Sequence, residues 1–85
     1  MSREWTLDAD SEVRYLLPYL EDERDEVTRT RVRTYVAKLV ESPLGRGHEH
    51  ESGVYSATVP QTTVGLIWTL DLDQRVVVLA NVGPV

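Results

Sequence analysis

Residues 45–53 of this chain, Gly-Arg-Gly-His-Glu-His-Glu-Ser-Gly, hold no apolar side chain, and the hydrophobic period differs on their two sides. Before them apolar residues recur at the 3.6-residue spacing of a helix. After them the spacing is two, the period of a strand. A single change of period in 85 residues calls for a helical half and a sheet half sharing one core. The apolar-free stretch itself is expected to be a surface loop joining them.

In the sheet half, residues 54–59, 64–72 and 76–82 read as three strands. They are separated by Pro60, Gln61, Thr62 and Thr63 and by Asp71, Leu72, Asp73 and Gln74, both of turn composition. Val64, Leu66, Trp68, Leu70 and Leu72 share one face of the middle strand, and its other face is largely polar. Residues 76–80 are apolar on both faces, which calls for a central or doubly covered strand.

In the helical half, Trp5 and Leu7 alternate with polar neighbours as in a short strand. Asp10 and Ser11 are able N-caps, and Val13, Leu16, Leu17 and Leu20 form a helical stripe. Pro18 either kinks that helix or opens a second one at its first turn. A further stripe runs through Val32, Tyr35, Val36, Leu39 and Val40 and ends at Ser42, Pro43 and Gly45. The order strand, helix, helix, strand, strand, strand predicts one α+β domain over residues 1–85, with two helices packed on one face of an antiparallel sheet.

The net charge of −5 is unevenly laid out. Residues 1–26 carry nine carboxylates against three arginines, and residues 27–47 carry five cations against Glu41. One short basic stretch in an acidic chain argues against autonomous nucleic-acid binding, which depends on clustered phosphate neutralisation. With no cysteine, the chain has no disulfide, thiolate metal site or thiol nucleophile. No apolar run reaches the roughly 20 residues of a membrane span, and the first residues lack the layout of a signal peptide, so a cytoplasmic location is expected.

The order of elements, together with Trp5-Thr6-Leu7, Leu39-Val40-Glu41-Ser42-Pro43, Leu66-Ile67-Trp68-Thr69-Leu70-Asp71 and the Val82-Gly83 that closes the last apolar run, resembles the RelE/ParE superfamily of bacterial type II toxin–antitoxin systems. The resemblance covers nearly the whole chain and rests mostly on core positions, which speak for fold more than for activity. It implies a toxin-like protein bound and neutralised by an antitoxin polypeptide. RelE-type members cleave messenger RNA on the ribosome with cations on the strand after the helices, early in the next strand and in the tail. The matching positions here are Ser56, Thr58 and Pro60, then Gly65, then Pro84 and Val85. Without cations there, stabilisation of the developing phosphorane charge is lost, so RelE-type endonuclease activity is not expected. ParE-like members act on DNA gyrase and have no such basic set as a signature.

Arg46, Tyr55 and Arg75 are left as weak catalytic candidates. His48 and His50 invite a metal reading, but no third ligand is evident nearby, so the sequence predicts no metal and no cofactor. For a protein partner, either an antitoxin or a second copy of the chain, the candidate contacts are the aromatic Tyr15 and Tyr19. A strand edge at Val54, Ser56 and Thr58, next to Pro60, is the other candidate. The alternative function is a non-toxic, non-enzymatic interaction module of the same fold, which could act as a homodimer.

Overall fold

The computed structural model describes residues 4–85, so the first three residues of the expected domain lie outside it. The chain runs β1 (Thr6–Leu7), a first helix over residues 9–22, a second helix (Glu26–Glu41), then β2 (His48–Glu49), β3 (Val54–Thr58), β4 (Val64–Asp71) and β5 (Val76–Pro84). The five strands form one sheet in the order β1-β5-β4-β3-β2. The core lies between this sheet and the helices: Leu16 and Leu20 from the first helix, Val32, Val36 and Leu39 from the second, and Val64, Leu66, Trp68, Val77 and Leu79 from β4 and β5.

The sheet is mixed rather than wholly antiparallel. β1 runs parallel to β5, with Thr6 opposite Val76 and Leu7 opposite Val77, while the other three ladders are antiparallel. A period-2 pattern encodes which face is buried and not which way a strand runs, so the pattern of Trp5 and Leu7 could not reveal this. The stretch expected to be a loop holds a further short strand, β2, whose His48 and Glu49 pair with Ser56 and Tyr55. Both residues are exposed. A ladder made by backbone alone leaves no apolar signature in the sequence.

The first helix starts at least two residues earlier than the expected caps Asp10 and Ser11. Asp8 is the cap, accepting from Ser11 N at 2.9 Å. Ser11 is buried, and its hydroxyl donates to Asp8 O and accepts from Leu79 N at 3.0 Å, so this polar group is fully paired inside the core. Pro18 does not split the helix. The turn over Glu12–Leu16 widens to a π-helix, with Leu17 N–H bonding Glu12 O, directly before the proline whose ring would crowd an ordinary turn. The extra residue also rotates the stripe. Ser11, Leu16 and Leu20 face inward, while Val13 and Leu17, expected in the core, are exposed.

A β-bulge does the same in the sheet. Ile67 lies opposite Asn81 but Trp68 opposite Leu79, so Ala80 is the extra residue. It lets Val77, Leu79 and Val82 share the inward side although 79 and 82 differ in parity. Leu72, expected in the middle strand, lies past its end and is exposed.

Candidate functional site

Five of the six positions singled out for their missing cations come together, and the sixth, Pro60, lines a different groove. Register sets Thr58 opposite Gly65 and Gly65 opposite Gly83. Ser56, Thr58, Gly65 and Val85 all line one groove of about 460 Å³, along with Pro84, Asn81 and Ile67. Among the described residues, no Lys, Arg, Asp or Glu lines it. Its titratable side chains are His48 and His50, brought in by β2. Their rings sit edge to face with centroids 4.8 Å apart, and His50 Nε2 is within hydrogen-bonding distance of Ser56 Oγ. The His-x-His spacing was the sequence signal for this pair; what sequence reasoning missed was the strand that fixes both rings on one face.

Gly47 sets β2 in place. Its φ of +79° belongs to the left-handed region, and a Cβ there would fall 2.5 Å from the indole of Trp68 and 2.9 Å from Ser56 O. Only glycine lets the chain cross the fully buried Trp68 this closely.

The weak catalytic candidates lie on different elements. Arg46 follows the second helix, its guanidinium 5.9 Å above the Tyr35 ring and its Nε donating to Ser42 O. Tyr55 is on the other side of β3 from Ser56, stacked on Trp68 with ring centroids 6.2 Å apart. Arg75 is at the turn between β4 and β5 with φ of 56°, and its carbonyl accepts from Thr6 N.

Of the expected strand edge at Val54, Ser56 and Thr58, the first two are not free, and Thr58 lies past the β2 ladder. β2 covers Ser56 and Tyr55, and Val54 O accepts from His50 N, so the free edge on this side of the sheet is β2 itself. Tyr15 and Tyr19 do share a groove, with Pro18 between them and Val82, Gly83 and Pro84 opposite. Tyr19 donates its hydroxyl to Glu23 at 2.9 Å. Burial, then this hydrogen bond and the nearby carboxylates of Glu23 and Asp25, push its phenol up to about 12.

A third groove, unforeseen, lies between the second helix and the β3–β4 turn. Arg31, Lys38 and Arg46 line it with Thr34, Tyr35 and Pro60. Arg31 donates to Gln61 O at 3.1 Å. Burial raises the Tyr35 phenol while Arg46 beside it pulls it back. Three of the five cations of the basic stretch thus line one groove.

Comparison with solved structures places the crystal structure of the isolated E. coli RelE toxin over 96% of this chain and 84% of that one, with a TM-score of 0.69 and 15% sequence identity. The fold is RelE-like. A double arginine-to-alanine variant of E. coli RelE in the free state matches over 99% of this chain and 84% of that one, at a TM-score of 0.65 and 15% identity. No family model matches the chain, and no curated protein matches it in sequence. Among the described residues no helix is long and apolar enough to cross a membrane. The expected α+β architecture therefore stands as a RelE-like fold, with its helices against a mixed sheet.

Proposed function

We propose that this chain is the toxin-like member of a toxin–antitoxin pair, held by an antitoxin polypeptide, and that it acts by binding another protein rather than by RelE-type cleavage of messenger RNA. The reading rests on one observation. A RelE-like fold extends over nearly the whole chain, and Ser56, Thr58, Gly65 and Val85, the positions that the family resemblance matches to RelE-type cations, line one groove. A phosphodiester transition state there would meet no fixed positive charge. Protein binding needs no such charge, and the Tyr15–Tyr19 groove offers rigid aromatic area with Pro18, Val82 and Pro84.

The experiment is induced expression in a bacterial host, alone and with the product of any short reading frame found beside the gene, followed by light scattering of the purified proteins. Growth arrest relieved by the neighbour, with a stable complex weakened by Tyr15→Ala and Tyr19→Ala, is the expected result. Unimpaired growth with no complex formed would overturn it in favour of the non-toxic module.

A further inference from the structure

We propose that His48 and His50 are half of a transition-metal site that a second copy of this chain completes, so that a zinc ion joins two chains edge to edge through β2. The inference does not depend on the toxin reading and concerns only the free edge of the sheet.

The half-site is built on β2. In a strand, residues two apart project to the same face, and the two imidazoles here lie together at 4.8 Å. With its proton on Nε2, His50 donates to the Ser56 hydroxyl and leaves the Nδ1 lone pair for a metal. A metal-binding histidine is usually oriented by such a hydrogen bond from its other ring nitrogen. One chain cannot close the shell, because no group of three or more His, Cys, Asp or Glu among the described residues is placed to hold a metal ion.

The missing ligands follow from the backbone. His50 N donates to Val54 O, and antiparallel pairs alternate between bonded and non-bonded, so Glu49 turns its own N–H and C=O outward from the sheet. Two copies can therefore pair antiparallel about a two-fold axis at Glu49, each Glu49 exchanging both hydrogen bonds with its counterpart. That register puts His48 opposite His50 of the partner subunit on the same face. The Cα atoms of such a non-bonded pair are about 4.5 Å apart across the strands, and the two histidines of one strand about 7 Å apart along it. Four imidazoles at these spacings can converge on a tetrahedral zinc ion with Zn–N distances of about 2.0–2.1 Å.

Charge makes the metal necessary. Each copy carries −5, and the pairing sets two Glu49 side chains opposite each other on the other face. A two-residue edge strand supplies too few hydrogen bonds to overcome this. Glu49 is already drawn aside to Gly53 N, which limits the repulsion without removing it. Metal-free protein is thus monomeric, and the divalent cation drives association.

The test titrates the full chain with zinc chloride, with magnesium chloride as a hard-cation control, and reads mass by light scattering and stoichiometry by calorimetry. Expected are a 9.7 kDa monomer in chelator and in magnesium, and a doubling of mass in zinc at one ion per two chains. His48→Ala and His50→Ala should each abolish the doubling with the circular dichroism unchanged. Glu49→Pro keeps both imidazoles but removes the outward N–H, a place where an edge strand tolerates proline, and should bind zinc without dimerising. Copper(II) as a spin probe should show four nitrogen ligands in the wild type and two in Glu49→Pro. A mass that stays at 9.7 kDa in zinc, a dimer already present in chelator, or a zinc dimer that survives loss of both histidines would each overturn the proposal.

Discussion

Gly47 lies against the face of Trp68 so closely that a single added methyl would stand 2.5 Å from Cη2 and 2.7 Å from Cζ2 of the indole. The contact joins the largest buried side chain to the strand that carries His48 and leads into His50. Gly47→Ala adds a left-handed residue with a Cβ, roughly 1 kcal/mol, to an overpacking cost of about 1–3 kcal/mol, since neither the buried indole nor the Ser56 carbonyl can yield. Thermal unfolding should show a loss of about 2–4 kcal/mol, a drop in Tm on the order of 10 °C or more.

Gly65 provides the contrast. Its absent Cβ would also be 2.5 Å from a neighbour, but that neighbour is the γ-methyl of Val85, which is 81% exposed and can swing away. Gly65→Ala should therefore cost less than about 1 kcal/mol. Equal losses for the two variants would show that close approach alone, and not the mobility of the neighbour, sets the cost.

The phenol of Tyr19 donates to Glu23 and is pushed up to about 12 from its ordinary value near 10. The folded state thus holds the phenolic proton more tightly than the unfolded chain. Its contribution to stability is complete below pH 10 and is lost as pH rises toward 12. Denaturant midpoints measured from pH 9 to 12 should fall across this window in the wild type. Tyr19→Phe should flatten that fall, and an unaltered slope would separate Tyr19 from the alkaline transition.

How much of this was legible in the sequence depends on whether burial carried the signal. Val32, Val36, Leu39, Leu66 and Trp68 were placed by period, and all are buried. Val13 and Leu17 were misplaced because the π-turn before Pro18 adds a residue to the helical count, and the pattern holds no mark of it. β2 was missed because it is paired by backbone on one side and solvated on both faces. The same strand hid the site: Ser56, Thr58, Gly65 and Val85 were named one by one from the family pattern, but their convergence with two histidines depends on register, which no single position encodes.

At acidic pH the loop between the helices should fail first. Asp25 caps the second helix, accepting from the Thr28 hydroxyl and from Thr28 N, and these bonds, the hydroxyl's first, hold its carboxyl below the ordinary range. Glu23, accepting from Asp25 N and the Tyr19 hydroxyl, is lowered as well. Both contribute stability that is complete above the ordinary carboxylate range and is lost as pH falls through their depressed folded values. Asp25→Asn keeps a capping oxygen but loses the charge, so its Tm should lie below the wild type at pH 7, fall less between pH 5 and pH 2, and meet the wild type at the acid end. A parallel acid profile would exclude this cap as a source of acid lability.

Ribosome-dependent cleavage of messenger RNA provides the sharpest contrast with RelE-type chemistry. In-line attack on a phosphodiester builds negative charge on the phosphoryl oxygens, and removing one preorganised donor for such charge typically costs about 10²–10³ in rate. The groove of this chain offers Ser56, Thr58, Gly65 and Val85 at the positions in question, and its two imidazoles are the groups there that could carry positive charge. Arg46 is turned to Tyr35 and Ser42 on the helical side, and Arg75 is in the β4–β5 turn. A translation extract given the purified protein should therefore yield intact message when primer extension maps its 5′ ends. If cuts appear and Arg46→Ala or Arg75→Ala abolishes them, the cations have been relocated. If His48→Ala and His50→Ala abolish them instead, the imidazoles perform the proton transfers, and in either case the chain is a ribonuclease after all.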